Sequence, residues 1–188
     1  MSISGFSYEP DIVTPEAHDA IAAMIASEPF APLRMRGQVS RRRIVSYGLS
    51  FVPHLLNLPL ASPIPQYLYP VRRLAAAIAG VPEATLRQAL ITFYPTGAEI
   101  GWHVDHANFG DTVAVASFSG SATLFLRGCP GPKVQQCILP RSVYVLTGAA
   151  RWSAEHRVVA HADRYSVAFR TLTDPRQLSA TGPLPAQQ

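Results

Sequence analysis

Helical and β-type patterns divide the chain into two parts. Near the N-terminus, Thr14 can cap a helix whose first position suits Pro15. This helix is predicted to run to about Ser27 with one face buried, because apolar residues recur at helical spacing at Ala17, Ile21, Met24 and Ile25. A second helix is predicted over residues 66–79, with Gly80 placed to end it.

From residue 89 onward the pattern changes to short β-type runs separated by Gly, Pro, Asp or Ser turns. The runs predicted as strands are 89–94, 113–119, 122–127, 136–139, 142–146, 156–160 and 165–172. Seven closely spaced strands after two helices predict an α+β fold, in which an antiparallel double sheet or jelly roll is braced by the N-terminal helices.

The segment between the two helices is harder to assign. A basic, glycine-broken stretch at residues 34–43 leads into residues 44–52, whose β-branched and aromatic character predicts a strand or an extended lid. Residues 53–65 form a proline-rich connection, for which no regular structure is expected. A short helical piece is predicted over residues 82–88.

Length and composition indicate one folded domain, which we expect to span residues 1–176, followed by a frayed tail at 177–188. The 16 Lys and Arg against 12 Asp and Glu give a net charge of +4, which is compatible with polyanionic partners. The N-terminus lacks the features of a signal peptide, and no apolar run is long enough to span a bilayer. We therefore expect a monomer located in the cytoplasm, with Cys129 and Cys137 as free thiols rather than a local disulfide.

Residues 102–106 carry the first candidate chemistry, the pair His103 and Asp105. Side chains two residues apart on an extended strand project to the same side, so this imidazole and this carboxylate should lie on the same face. His156 follows about fifty residues later. Two imidazoles and one carboxylate make the set that holds Fe(II) on one face and leaves the other open.

Two arginines follow closely, Arg164 and Arg170. A guanidinium is the side chain best shaped to bind a carboxylate through two parallel hydrogen bonds. A metal site together with a carboxylate clamp indicates a 2-oxo-acid cosubstrate.

Taken together, these motifs resemble the AlkB family of Fe(II)- and 2-oxoglutarate-dependent dioxygenases in order, spacing and residue type. The matching segments are 94–100, 103–105, 115–119, His156 and 164–170. The resemblance implies a double-stranded β-helix with its core at 89–172 and a substrate lid at about 30–55.

The resemblance also implies roles for individual residues. His103, Asp105 and His156 would bind iron, and O2 would be the second cosubstrate. Tyr94 and Arg164 would bind the distal carboxylate of 2-oxoglutarate, and Arg170 would lie at its other end. Thr92 and Ser166 stand at two cosubstrate positions where many family members carry Asn.

For the substrate, the resemblance implies modified bases in DNA or RNA, which would be demethylated or hydroxylated. Arg41, Arg42 and Arg43 would contact phosphates from the lid, and Tyr47 is a candidate lid aromatic. Trp102 and His106 are candidate substrate contacts, although a core or rim aromatic and a loop histidine are the alternatives.

Two other functions remain open. A protein or small-molecule hydroxylase would use the same chemistry, and the basic stretch would then be incidental. A non-catalytic cupin-like binding module would use the same barrel and retain the metal ligands without the catalytic activity. The presence of both Arg164 and Arg170 argues against such a module, because it needs no clamp for a 2-oxo acid.

Overall fold

The computed structural model describes residues 3–35, 38–49, 60–128 and 133–173, which form two antiparallel sheets and a layer of helices. The strands are β1 (Phe6–Glu9), β2 (Ala31–Met35), β3 (Gln38–Tyr47), β4 (Gln88–Tyr94), β5 (Glu99–His103), β6 (Phe109–Ser119), β7 (Ala122–Arg127), β8 (Lys133–Ile138), β9 (Ser142–Leu146), β10 (Glu155–Ala160) and β11 (Arg164–Leu172). The helices are α1 (Pro15–Ala26), α2 (Tyr69–Ala79) and α3 (Gly148–Trp152), with 3-10 turns at Gln66–Leu68 and Glu83–Thr85. The α+β class is as predicted.

Both N-terminal helices begin and end where the sequence predicts. Thr14 caps α1, since its hydroxyl accepts a hydrogen bond from the amide of Ala17 at 3.3 Å. The second predicted helix opens with the 3-10 turn at Gln66–Leu68 before α2 continues it. Gly80 ends α2 at a φ of 68°, a left-handed conformation that a side chain would disfavour.

The larger sheet has seven strands in the order β1-β9-β6-β11-β4-β3-β2, and the smaller has four in the order β5-β10-β7-β8. All of the pairings between these strands are antiparallel. The predicted jelly roll is therefore correct, and all seven predicted runs are strands. The structure adds β1, β2 and β5 to them. β3 includes the first residues of the segment 44–52, which was predicted as a strand or an extended lid, and begins earlier, at Gln38.

Side-chain alternation in the larger sheet produces two cores. In β4, Ala89 and Ile91 pack under the helices, whereas Leu90 faces the smaller sheet. In β11, Val167 and Ala168 divide in the same way. Because both faces of the sheet are covered, β4 is buried at every position, including the polar residues Gln88 and Thr92.

The region predicted as a lid, residues 30–55, is in its described part a hairpin of β2 and β3 at the edge of the larger sheet. β3 pairs with β4 from Tyr47 opposite Ala89 to Arg43 opposite Phe93. Residues 50–55 and the predicted tail lie outside the described residues, as does Cys129, while Cys137 is an exposed free thiol. Among the described helices, none is both long and apolar enough to cross a membrane.

Candidate active site

Two histidines meet across the smaller sheet. His103 on β5 is the register partner of His156 on β10, and their ring centroids lie 4.1 Å apart. The next pair along the two strands is Val158 with Ile100. Between these two pairs β5 contains one residue more than β10. This β-bulge lets Ile100 and His103 lie on the same side although they are three residues apart.

Asp105 completes the cluster, but not in the way the sequence suggested. β5 ends at His103, and Asp105 lies in the loop that follows rather than on the same strand. The loop turns its carboxylate back, so that Oδ1 lies 3.6 Å from Nε2 of His103. One ligand atom from each of His103, Asp105 and His156 lies within 4.8 Å of the others. The predicted cluster forms, while the predicted strand alternation between His103 and Asp105 is wrong.

Both imidazoles are prepared to offer a lone pair. Nδ1 of His103 lies 2.8 Å from the carbonyl oxygen of Gly101, so in the neutral imidazole Nδ1–H donates to that carbonyl and Nε2 carries the lone pair. Burial lowers the pKa of His156 to about 3, so its imidazole is neutral near neutral pH. Neutral imidazole is the form that binds a metal.

Asp105 stays ionised because of a buried arginine. Burial by itself raises the pKa of the Asp105 carboxyl, but the Arg170 guanidinium holds it well below its usual range. Nε of Arg170 donates to Oδ2 of Asp105 at 3.2 Å, and Nη1 donates to Oε1 of Gln88 at 3.1 Å. Asp105 therefore supplies a negative charge to the cluster.

Arg151 on α3 is a site residue that the sequence analysis missed. Its side chain is buried and donates hydrogen bonds to four backbone carbonyls in the loop and strand start after His103. These carbonyls belong to Asp105, His106, Phe109 and Gly110. No local sequence signal marks Arg151, because the helix that carries it has only five residues and was not predicted.

The predicted cosubstrate residues lie together on the inner face of the larger sheet. Tyr94 is the register partner of Arg164, and Thr92 is the partner of Ser166. All four side chains are buried. The guanidinium carbon of Arg164 lies 5.3 Å from the centre of the Tyr94 ring. The structure thus brings these four residues to one surface.

Arg164 is a buried cation without a neutralising partner. It is 1% exposed, and among the described residues no carboxylate forms an ion pair with it. Nη2 donates to the hydroxyl of Ser117 at 2.7 Å, whereas Nε has no hydrogen-bond partner. An unpaired buried charge is costly, so this guanidinium fits the carboxylate of an anionic ligand.

Two further residues of this inner surface had no predicted role. Ser117 on β6 is the register partner of Ser166, and its segment was noted only as part of the family-like pattern. Tyr144 on β9 is buried, and burial raises the pKa of its phenol, although Arg164 opposes this. The phenol therefore stays protonated and can donate a hydrogen bond.

The three consecutive arginines of β3 do not form one basic surface. Strand alternation turns Arg42 inward, where it is buried with its guanidinium carbon 5.8 Å from the centre of the Tyr94 ring. Arg43 is exposed and stacks on Phe93 at 4.8 Å, on the opposite face of the sheet. Arg41 is also exposed.

These arginines also lie at the end of the larger sheet away from Asp105. Arg43 pairs with Phe93 at one end of β4, whereas Arg170, which holds Asp105, pairs with Gln88 at the other end. Six residues of strand separate Gln88 from Tyr94, which is roughly 20 Å. Arg41, Arg42 and Arg43 therefore lie away from Asp105, and their contact with substrate phosphates stays a prediction.

The other three predicted substrate contacts lie in different places: one on the helix side of the larger sheet and two near the metal ligands. Tyr47 packs on the helix side of the sheet, where its hydroxyl donates to the carboxylate of Glu28, so it does not face the cluster. Trp102 is 37% exposed beside His103, with the Arg127 guanidinium 4.3 Å from its ring centre. His106 is exposed in the loop that follows Asp105.

A double-stranded β-helix that carries a His-Asp-His cluster and a buried unpaired arginine defines the class of iron- and 2-oxo-acid-dependent oxygenases. The family model of the 2OG-Fe(II) oxygenase superfamily matches residues 53–176, and the chain belongs to this superfamily. It is therefore a 2-oxoglutarate-dependent dioxygenase that uses Fe(II). No curated protein sequence matches the chain significantly.

Solved structures agree on the fold. OsALKBH1, an AlkB homologue, is similar with a TM-score of 0.69 and 14% identity, over 91% of this chain and 100% of that chain. A prolyl-4-hydroxylase from Pseudomonas putida is similar with a TM-score of 0.63 and 18% identity, over 90% of this chain and 93% of that chain. A prolyl hydroxylase from Trichoplax adhaerens, in complex with a hypoxia inducible factor peptide fragment, has a TM-score of 0.65 and 12% identity, over 95% of this chain and 88% of that chain.

Proposed function

We propose that this dioxygenase oxidatively demethylates or hydroxylates modified bases in DNA or RNA, with Fe(II) held by His103, Asp105 and His156. The donor set supports the metal assignment, since two imidazoles and one ionised carboxylate converge within 4.8 Å. When bound, Fe(II) and 2-oxoglutarate supply the oxidation of a C–H bond by O2, with release of succinate and carbon dioxide.

The unpaired guanidinium of Arg164 would bind the distal carboxylate of 2-oxoglutarate. Its free Nε and the neighbouring Tyr94 hydroxyl offer donors on a surface from which water is largely excluded. Ser117 orients the guanidinium from the other side. Thr92 and Ser166 lie between Arg164 and Arg170 on the same face and would line the cosubstrate pocket.

Arg170 would act at the metal end of the pocket. It orients the carboxylate of Asp105 through Nε and is itself held by Gln88. The resemblance placed Arg170 at the second end of the cosubstrate, and its position beside Asp105 supports that role. The Arg170 guanidinium would then bind both the Asp105 carboxylate and the cosubstrate.

The observation that favours a nucleobase is the position of the two tryptophans, the only two in the chain. Trp102 directly precedes His103, and Trp152 lies on α3 beside Arg151, which holds the loop of Asp105. Their exposed fractions are 37% and 41%. Because Trp102 and His103 are neighbours on β5, the Trp102 ring lies on the outer face of the smaller sheet with the Arg127 guanidinium, and not over the metal cluster. Exposed aromatic rings of this kind suit stacking on the bases of a bound strand.

The second candidate is hydroxylation of a protein side chain. The similarity in fold to two prolyl hydroxylases, one of which holds a peptide fragment, supports this alternative. Exposed tryptophans can also contact a peptide, so only the substrate itself decides between the two.

The experiment is a mass-spectrometric screen with Fe(II) and 2-oxoglutarate. Methylated single- and double-stranded DNA and RNA oligonucleotides are compared with proline-containing peptides. We expect loss of a methyl group, or gain of one oxygen, on an oligonucleotide. Gain of one oxygen on a peptide and no change in any oligonucleotide would instead establish the protein hydroxylase.

A matched pair of variants tests the tryptophan assignment. Trp102→Ala should raise the KM for the oligonucleotide about 5- to 100-fold, because base stacking on one aromatic contributes about 1 to 3 kcal/mol. Tyr69→Ala removes an equally exposed aromatic, 39% exposed at the start of α2, and should leave the KM unchanged. Equal effects of the two substitutions would contradict the assignment.

A further inference from the structure

Arg151 is among the largest fully buried side chains of the described residues. It contacts the loop of Asp105 but offers no atom to the metal cluster itself. It lies on α3, the five-residue helix between β9 and β10. β10 begins at Glu155 and carries His156, so α3 directly precedes the strand of that histidine. The guanidinium of Arg151 contacts the loop that follows the other histidine, His103.

The contacts use four of the five N–H donors of the guanidinium. Nε donates to the carbonyl of Gly110 at 3.0 Å and Nη1 to that of Asp105 at 3.0 Å. Nη2 donates to the carbonyls of His106 at 2.9 Å and Phe109 at 2.7 Å. One planar, rigid donor group therefore fixes two carbonyls of the loop 104–108, which has no strand pairing of its own, and two carbonyls at the start of β6.

Arg151 carries a positive charge that is neutralised only by carbonyl dipoles and more distant carboxylates. It is 1% exposed, and in the part of the chain that the structure describes it forms no ion pair. The neighbouring Trp152 adds to the contact, since its ring centre lies 4.1 Å from the guanidinium carbon and its Nε1–H donates to Asp111 at 3.0 Å. The short helix therefore contacts the loop through Arg151 and the start of β6 through Arg151 and Trp152.

We infer that Arg151 is a positioning residue for the metal site: it holds the main chain of Asp105 so that the carboxylate meets the two histidines. Arg170 orients the side chain of Asp105, and Arg151 orients its backbone. The two contacts are complementary, because a carboxylate on a mobile loop can be oriented by Arg170 and still lie out of reach of His103 and His156. This inference rests on the proposed metal ligands.

The test measures metal affinity without turnover. Co(II) is titrated into the purified full-length protein, and its visible absorption reports both binding and coordination. Arg151→Met should weaken Co(II) binding about 10- to 100-fold, the range typical when a residue that supports a metal ligand is replaced. The Co(II) spectrum should also change, because the carboxylate no longer binds in the same geometry.

Arg151→Lys is the conservative variant. An ammonium keeps the charge but has three donors on one atom, so it cannot reach four carbonyls spread around a planar guanidinium. We expect a Co(II) affinity between those of the parent and of Arg151→Met. Val143→Ala is the control for stability alone, since Val143 is fully buried in the core under the helices. It should lower the Tm and leave the Co(II) affinity and spectrum unchanged.

Parental Co(II) affinity and spectrum in Arg151→Met, with a lowered Tm, would overturn the inference, because Arg151 would then be structural only. Failure of both Arg151 variants to fold would overturn it for the same reason. His103→Ala separates this from the proposed function. If His103→Ala binds Co(II) as the parent does, the ligand assignment is wrong whatever Arg151 does.

Discussion

His103 and His156 lie directly opposite one another on neighbouring antiparallel strands, with their ring centroids 4.1 Å apart. Cross-strand partners are held by the ladder on both sides, so the separation of the two imidazoles is set by the backbone rather than by side-chain contacts. The bulge in β5 is what directs His103 to the same side as His156. A rigid pair of this kind is what a metal site requires.

Replacing either histidine should therefore remove the metal site and leave the fold. His103→Ala and His156→Ala are each expected to weaken Fe(II) binding by more than about 100-fold, which exceeds the usual loss for supporting residues. Anaerobic titration with Fe(II) and 2-oxoglutarate, followed by the visible charge-transfer absorption, measures this. Full turnover in His156→Ala would contradict the ligand assignment.

Arg164→Lys should raise the KM for 2-oxoglutarate about 10- to 100-fold. A hydrogen bond to a charged group contributes about 1.5 to 3 kcal/mol, and an ammonium cannot reproduce two parallel bonds to a carboxylate. Steady-state kinetics with varied 2-oxoglutarate measure it. Arg141→Lys is the matched control, because Arg141 pairs with Asp11 outside the pocket. An unchanged KM in Arg164→Lys would place the clamp elsewhere.

Breaking the buried pair of Arg170 and Asp105 should destabilise the metal-free protein. Both side chains are 9% exposed, and removing one partner of a buried pair costs about 3 to 5 kcal/mol. Arg170→Met is therefore expected to lower the free energy of unfolding in urea by about 3 kcal/mol. Arg73→Met, at a side chain that is 76% exposed on α2, should change it by less than about 1 kcal/mol. Equal values for the two variants would show that the pair does not contribute.

The exposed arginines of β3 should matter little to catalysis. Arg41→Gln combined with Arg43→Gln is expected to leave oligonucleotide turnover at the parental level, because both residues lie at the end of β4 away from Gln88 and Arg170. Binding measured at several salt concentrations tests this. A fall in the salt slope of roughly 0.7 to 0.9 for each arginine would show that they do contact phosphates.

Local chemistry in the sequence was sufficient for the two N-terminal helices and for the seven predicted strands. Thr14 and Gly80 mark helix ends because capping and left-handed backbone depend on single residues and their near neighbours. The β-type runs after residue 89 were found as strands because their composition and the turns between them are local signals. The motif pattern also named His103 and Asp105 as a pair.

Residue spacing could not show how that pair is built. Spacing suggested that His103 and Asp105 alternate along one strand, whereas the strand ends at His103 and a loop returns the carboxylate. The loop is held by Arg151, 46 positions from Asp105 in the chain. A contact over that distance leaves no periodic trace in the sequence.

Tertiary structure also decided where the charged and aromatic residues act. The basic run of three arginines is contiguous in sequence, yet strand alternation divides it between two faces and the register with β4 carries it away from Asp105. Tyr47 turns to Glu28 for the same reason. The sequence by itself determined the element types and the ligand chemistry, because these depend on short-range patterns. The direction in which each side chain acts was decided by strand register, which is set by pairing between segments distant in the chain.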